Sequence, residues 1–124
     1  MTPEELRQRT AAFAKAVRQF AAPLLASLVS RDPALQLMRA ASSVAANYRD
    51  ATRARSHAEF TSKIGIVVEE SDETVFWLEH LRDCALASGS VLEALLRESR
   101  ELVAIFTSSA TTARARERER RVRN

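Results

Sequence analysis

Residues 54–85, ARSHAEFTSKIGIVVEESDETVFWLEHLRDCA, carry the longest regular pattern in the chain. Phe60, Ile64, Val67, Ser71, Thr74, Leu78, Leu81 and Ala85 recur in alternating steps of four and three. That spacing holds side chains on one stripe of a helix, and a stripe kept up over several heptads marks a seam packed between helices. Ser56-His57-Ala58-Glu59 reads as a capping box, in which the serine takes a backbone N–H three residues on and the glutamate reaches back. The pattern predicts a helix over 57–88 with this seam turned to a core.

Upstream, Arg53-Ala54-Arg55 is a tight turn, and the residues before it predict a helix over 33–53. Leu35, Met38, Ala41, Ala45 and Tyr48 lie along one of its sides. Asp32-Pro33 opens it, a cap followed by proline, which misses no hydrogen bond in the first turn. Thr2-Pro3-Glu4-Glu5 gives the same signal for a first helix over 3–29, which Pro23 kinks or divides. Downstream, Ser88-Gly89-Ser90 is a glycine stop and Ser90-Val91-Leu92-Glu93 a third capping box, opening a helix over 91–112. Short links make sequential amphipathic helices antiparallel, so the expectation is an all-α, up-and-down four-helix bundle over 1–113. Residues 114–124 form an arginine-rich tail that either continues the last helix, frayed, or is disordered.

One domain suits 124 residues, and two glycines, three prolines and abundant Ala, Leu, Arg and Glu suit helices. The net charge of +3 is uneven, because the tail holds six arginines against two glutamates. The lone Cys84 reads as a small core residue in a reducing compartment. With no basic leader and no apolar run near the ~18 residues of a membrane span, a cytoplasmic protein without membrane contact is expected.

Folding the second and third helices about residue 54 or 55 pairs positions whose numbers sum to roughly 109. Arg39 then faces Glu70 and Glu73, while Ser43 and Asn47 lie on the same row near Ile66 and Ser62–Lys63. The predicted result is an Arg–Glu pair with a ladder of smaller hydrogen bonds, a network that sets register more than stability. Ile66, Phe76 and Trp77 project from other sides of the third helix, rimmed by Glu69 and Glu73. Large aromatics rimmed by charge mark an interface, so copies are expected to associate; the alternative is that the first helix, broken at Pro23, covers them. Gly65 is expected to permit close helix packing.

Several chemistries lack their residues. A di-metal bundle site needs Glu-x-x-His pairs, but Ala54 and Trp77 precede His57 and His80 by three. One cysteine and two histidines make no zinc site, and Gly65 and Gly89 make no phosphate loop. No acid, base and nucleophile converge, so neither enzyme, cofactor, metal nor small-molecule substrate is expected. What remains is charge. Arg49, Arg53 and Arg55 cluster at one end of the hairpin, and Arg114, Arg116, Arg118, Arg120, Arg121 and Arg123 follow in the tail, as candidate contacts to nucleic-acid phosphates. The alternative is an interaction scaffold whose arginines only solubilise it.

From Leu37 to Leu81, Arg39 and Ser43 before Asn47, then Ser56, Glu59 and Phe60, Lys63, and Glu69, Glu70, Ser71, Glu73 and Trp77-Leu78 form a specific combination. It resembles the four-helix-bundle family that includes proteins encoded in intervening sequences of bacterial 23S ribosomal RNA genes, over about residues 8–112. The arginine tail lies outside the family pattern, and Tyr48-Arg49-Asp50-Ala51 stands where many relatives have an acidic-glycine turn. The resemblance implies a homopentamer, and kinship with the basic, nucleic-acid-binding accessory protein of diversity-generating retroelements, which partners a reverse transcriptase. It brings no catalytic residues.

Overall fold

The computed structural model describes residues 1–123. Four helices, α1 (Pro3–Ala21), α2 (Leu28–Thr52), α3 (His57–Asp83) and α4 (Ser90–Arg123), run up and down, each packing on its neighbours in sequence. The first also meets the last, which closes the bundle, and the diagonal pairs have no close backbone approach.

The α3 seam lies where its spacing predicts. Ile64, Val67, Ser71, Thr74, Leu78 and Leu81 are all buried. They face Leu37, Ala41, Val44 and Tyr48 from α2 and Leu92, Leu96, Leu102 and Phe106 from α4. Tyr48 and Phe106 meet with ring centroids 5.2 Å apart and planes tilted by 45°. Burial of four large aliphatic side chains on α3 alone supplies on the order of 1.5–3 kcal/mol each. The Thr74 hydroxyl donates to the Glu70 carbonyl at 2.8 Å. Among the described residues the buried Ser71 Oγ has no hydrogen-bond partner.

The ends of the helices differ from expectation in instructive ways. The Thr2 box closes in both directions, each bond 3.1 Å long. Pro23 divides the predicted first helix: α1 stops at Ala21 and a 3-10 turn over Ala22–Ala26 follows. The second helix begins at Leu28, after Ser27, whose carbonyl accepts the first helical bond from the Arg31 N–H but whose side chain makes no cap, and not at the Asp32-Pro33 signal. The Ser30 hydroxyl and Arg31 Nε donate to the carbonyls of Leu24 and Leu25 at 2.6 and 2.9 Å, satisfying the turn. With those groups paired, the helix nucleates early, and Pro33 forfeits one bond near its start. Ser56 accepts from the Glu59 N–H at 3.1 Å, which is half of the second box.

α3 ends at Asp83, five residues short of the expected Ser88. The Leu86 N–H donates to the Leu81 carbonyl at 2.9 Å and the Ala85 N–H to that of Arg82 at 3.0 Å, a Schellman closure. It places Ala85 at φ +56°. Ala85 thereby leaves the predicted seam, and Cys84, expected in the core, is exposed. The third capping box is replaced: Ser90 is already helical, and the Gly89 carbonyl, at φ +109°, accepts from the Glu93 N–H at 3.1 Å. Arg9 ties α1 to α4 through Glu98, Nε to Oε2 at 2.7 Å and Nη2 to Oε1 at 2.6 Å. The arginine tail continues α4 as helix through Arg123, and Asn124 lies outside the described residues.

Because a left-handed alanine carries a steric cost that glycine avoids, Ala85→Gly should stabilise the protein by about 1 kcal/mol in urea unfolding. Ser71→Ala should also stabilise it by roughly 1 kcal/mol in the same measurement, by removing an unpaired buried hydroxyl.

Candidate nucleic-acid interface

The start of α1, the α2–α3 turn and the end of α4 meet at one pole of the bundle. His57, the first residue of α3, ties the turn to α4: its Nε2 lies 3.0 Å from the Ala113 carbonyl and 3.9 Å from Glu117 Oε2. Every arginine that the sequence proposes as a phosphate contact lies at this pole. Arg49 and Arg53 are exposed where α2 ends, Arg55 is exposed in the turn, and the tail arginines lie on the last turns of α4. Arg55 pairs with Glu59 at 3.8 Å and Arg121 with Glu117 at 3.7 Å. Among the described residues, Arg49, Arg53, Arg114, Arg116, Arg118, Arg120 and Arg123 have no carboxylate within 4.0 Å, the distance at which a pair would form. Such charges are available to an anionic ligand.

The pole opens into a groove of about 600 Å³ between α1 and α2. Its floor is made of small residues, Ala11 and Ala14 against Ala45 and Ala46, and Arg7, Arg49 and Arg53 stand along it. Further up, Arg18 Nη2 donates to Ser42 Oγ at 3.4 Å. Arg7 and Arg18 were not expected here, because they lie far from Arg49 and Arg53 in sequence. Only the antiparallel pairing of α1 with α2 makes them neighbours. Arg7 is partly committed, since it pairs with Glu4 one turn earlier.

On the opposite flank, the predicted Arg39 pairing forms. Nη1 lies 3.2 Å from Glu70 Oε2 and Nη2 lies 2.5 Å from Glu73 Oε2. Trp77 Nε1 donates to Glu73 Oε1 at 3.3 Å. The expected ladder across the hairpin does not form. Asn47 Nδ2 donates within its own helix, to the Ser43 carbonyl and hydroxyl, both at 2.9 Å. A short side chain on a helix finds the carbonyl one turn back more readily than a partner across the gap.

The two carboxylates are pulled in opposite directions. Hydrogen bonding from Arg39 holds Glu73 below the ordinary carboxylate value, whereas burial pushes Glu70 above it. Glu73 therefore contributes stability at neutral pH that fades as the pH falls through its lowered pKa. The Glu70 contribution has the other sign: it is full when Glu70 is protonated and is lost as the pH rises through its raised pKa. Arg39 is half exposed, so solvent screening keeps each effect small. At pH 7 and low salt, Glu73→Gln should cost up to about 1 kcal/mol in urea unfolding while Glu70→Gln costs nothing or stabilises slightly.

Of the predicted interface residues, Phe76 is 54% and Ile66 36% exposed. Trp77 is not projecting: it is half-buried against the core, with the Phe76 ring edge-on at 4.8 Å. The broken first helix has no close backbone approach to α3 and leaves Phe76 and Ile66 uncovered. Leu28 and Leu35 on α2 remain exposed as well. A Cβ added at Gly65 would meet nothing within 4 Å, so this glycine does not serve packing within the chain. Among the described residues no three metal-ligating side chains converge, and no helix is long and apolar enough to cross a membrane.

A bundle of this topology, with the hairpin of α2 and α3 at its centre, defines the class. The family model of the 23S rRNA-intervening sequence protein matches residues 5–108, and the chain belongs to that family. The fold is also that of a protein with unknown function from the S23 ribosomal protein family of Bacteroides thetaiotaomicron VPI-5482, known from its crystal structure. The two are 26% identical with a TM-score of 0.77, over 84% of this chain and 96% of the other. No curated protein matches the chain.

Proposed function

We propose that the protein is a non-catalytic, oligomeric accessory factor that grips RNA or DNA by its phosphates at the arginine-rich pole. One observation carries this reading: arginines from two separate stretches of sequence, around the α2–α3 turn and at the end of α4, are gathered at one end with few carboxylates to neutralise them. Guanidinium forks match phosphate oxygens, and copies joined together multiply a weak patch into a strong field.

Association is supported by the apolar groups left exposed on the α2–α3 face, Leu28, Leu35, Ile66 and Phe76, with the half-buried Trp77 beside them. Five subunits, and a reverse transcriptase as partner, are what the family resemblance implies. The same apolar face would serve a scaffold that docks another protein and has no direct role with nucleic acid.

Light scattering on dilute protein should give a multiple of the 13.8 kDa subunit mass. A titration of structured RNA and of DNA should then show affinity falling steeply with salt, since released counterions supply most of it. Replacing Arg49, Arg53 and Arg55 with alanine together should reduce the slope of log affinity against log salt by roughly 2–3. A lone subunit would remove the oligomeric reading. An assembly with no affinity for nucleic acid at moderate salt would establish the scaffold instead.

A further inference from the structure

The end of α4 is built for more than attracting phosphate. Its arginines fall in two rows, Arg114, Arg118 and Arg121 in one and Arg116, Arg120 and Arg123 in the other, each with a step of four and then of three. At about 100° per residue the rows lie on roughly opposite flanks of the helix. The side facing the bundle continues through Phe106, Ala110, Ala113 and Glu117. The side facing away carries Ala115, Glu119 and Val122, and Val122 is 86% exposed. Past Glu117 no hydrogen bond or ion pair among the described residues ties the helix to the bundle, so it projects as a free rod. The segment lies beyond the family match, which ends at residue 108.

We propose that this rod lies in the major groove of double-stranded DNA, with one arginine row on each backbone and Ala115, Glu119 and Val122 toward the base edges. Dimensions favour this ligand. A helix with its side chains is about 10–12 Å across, and the major groove of B-form DNA is about 12 Å wide. The major groove of an A-form RNA duplex is too deep and narrow to admit side chains, and a single strand offers only one line of phosphates to two opposed rows. A disordered basic tail would have no reason to sort its arginines by face. The outward strip suits a groove floor: a valine can touch a thymine methyl, and a glutamate can accept from the cytosine amino group. The inference rests on the nucleic-acid reading above and narrows it to a duplex.

The test compares full-length protein on a labelled DNA duplex, an RNA duplex of the same sequence and a single strand, by fluorescence anisotropy across a salt series. The DNA duplex should bind at least about tenfold tighter than the other two, and a variant with the first row replaced by alanine should lower the salt slope by roughly 2–3. Ala115→Pro keeps the charge but breaks the rod, and should lose most of the duplex preference with the unfolding temperature little changed. Because proline could fray α4 further back, the isocharge pair R118E/E119R supplies a second probe: it keeps the helix but breaks one row, and should lose duplex affinity likewise. If either variant bound the DNA duplex as well as the natural chain, or if the RNA duplex or single strand bound equally well, the groove assignment would fall. In that event, loss of binding in the Arg49, Arg53 and Arg55 variant would still uphold the broader reading. A natural chain that bound none of the three would overturn both.

Discussion

The buried stripe of α3 is the constraint on which the rest depends. Ile64, Val67, Leu78 and Leu81 are sealed from water between α2 and α4, and hydrophobic burial there holds three of the four helices in register. The register in turn sets Arg39 opposite Glu70 and Glu73, and brings His57 under the last buried turn of α4. α1 is held differently, by its stripe of Leu6, Phe13, Val17 and Ala21 and by the forked bond of Arg9 to Glu98. Its packing on α4 is slighter than that of α3, and its junction with α2 leaves an open groove.

A bundle so arranged has unlike ends. At one end lie the broken link at Pro23, the Schellman turn at Ala85 and exposed apolar groups such as Leu28. At the other, arginines from α1, α2, the turn and α4 crowd together. The net charge of +3 hides this asymmetry, because Arg9, Arg39 and Arg100 are spent in ion pairs along the sides. At the basic pole only Arg7, Arg55 and Arg121 have a carboxylate partner among the described residues, and the remaining arginines there keep their charge uncompensated.

Much of the fold was legible because helical periodicity and capping are local. The seam spacing, the Thr2 box, the stop at Pro23 and the turn at Arg53–Arg55 each depend on residues a turn or two apart. The errors came where two local signals competed. Asp32-Pro33 is a good helix start, yet Ser30 and Arg31 closed the preceding turn and let α2 begin earlier. Gly89 is a good helix stop, yet closing the turn around Leu81 and Leu86 placed an alanine in a conformation that favours glycine. Trp77 lies off the seam on the helical wheel, yet a side chain so large reaches the core from the flank.

By itself the sequence determined four amphipathic helices, their order, their antiparallel links and the Arg39 pairing, since stripe and turn length leave little freedom. It also carried the two rows of arginines in α4, although these acquire meaning only if the segment is helical. Tertiary structure alone decided that Arg7 joins Arg49 and Arg53 along one groove with Arg18 bonded to Ser42 on its wall, that Cys84 and Ala85 leave the core, and that the tail is rod rather than coil. Those outcomes depend on contacts between residues far apart in the chain, which no local pattern encodes.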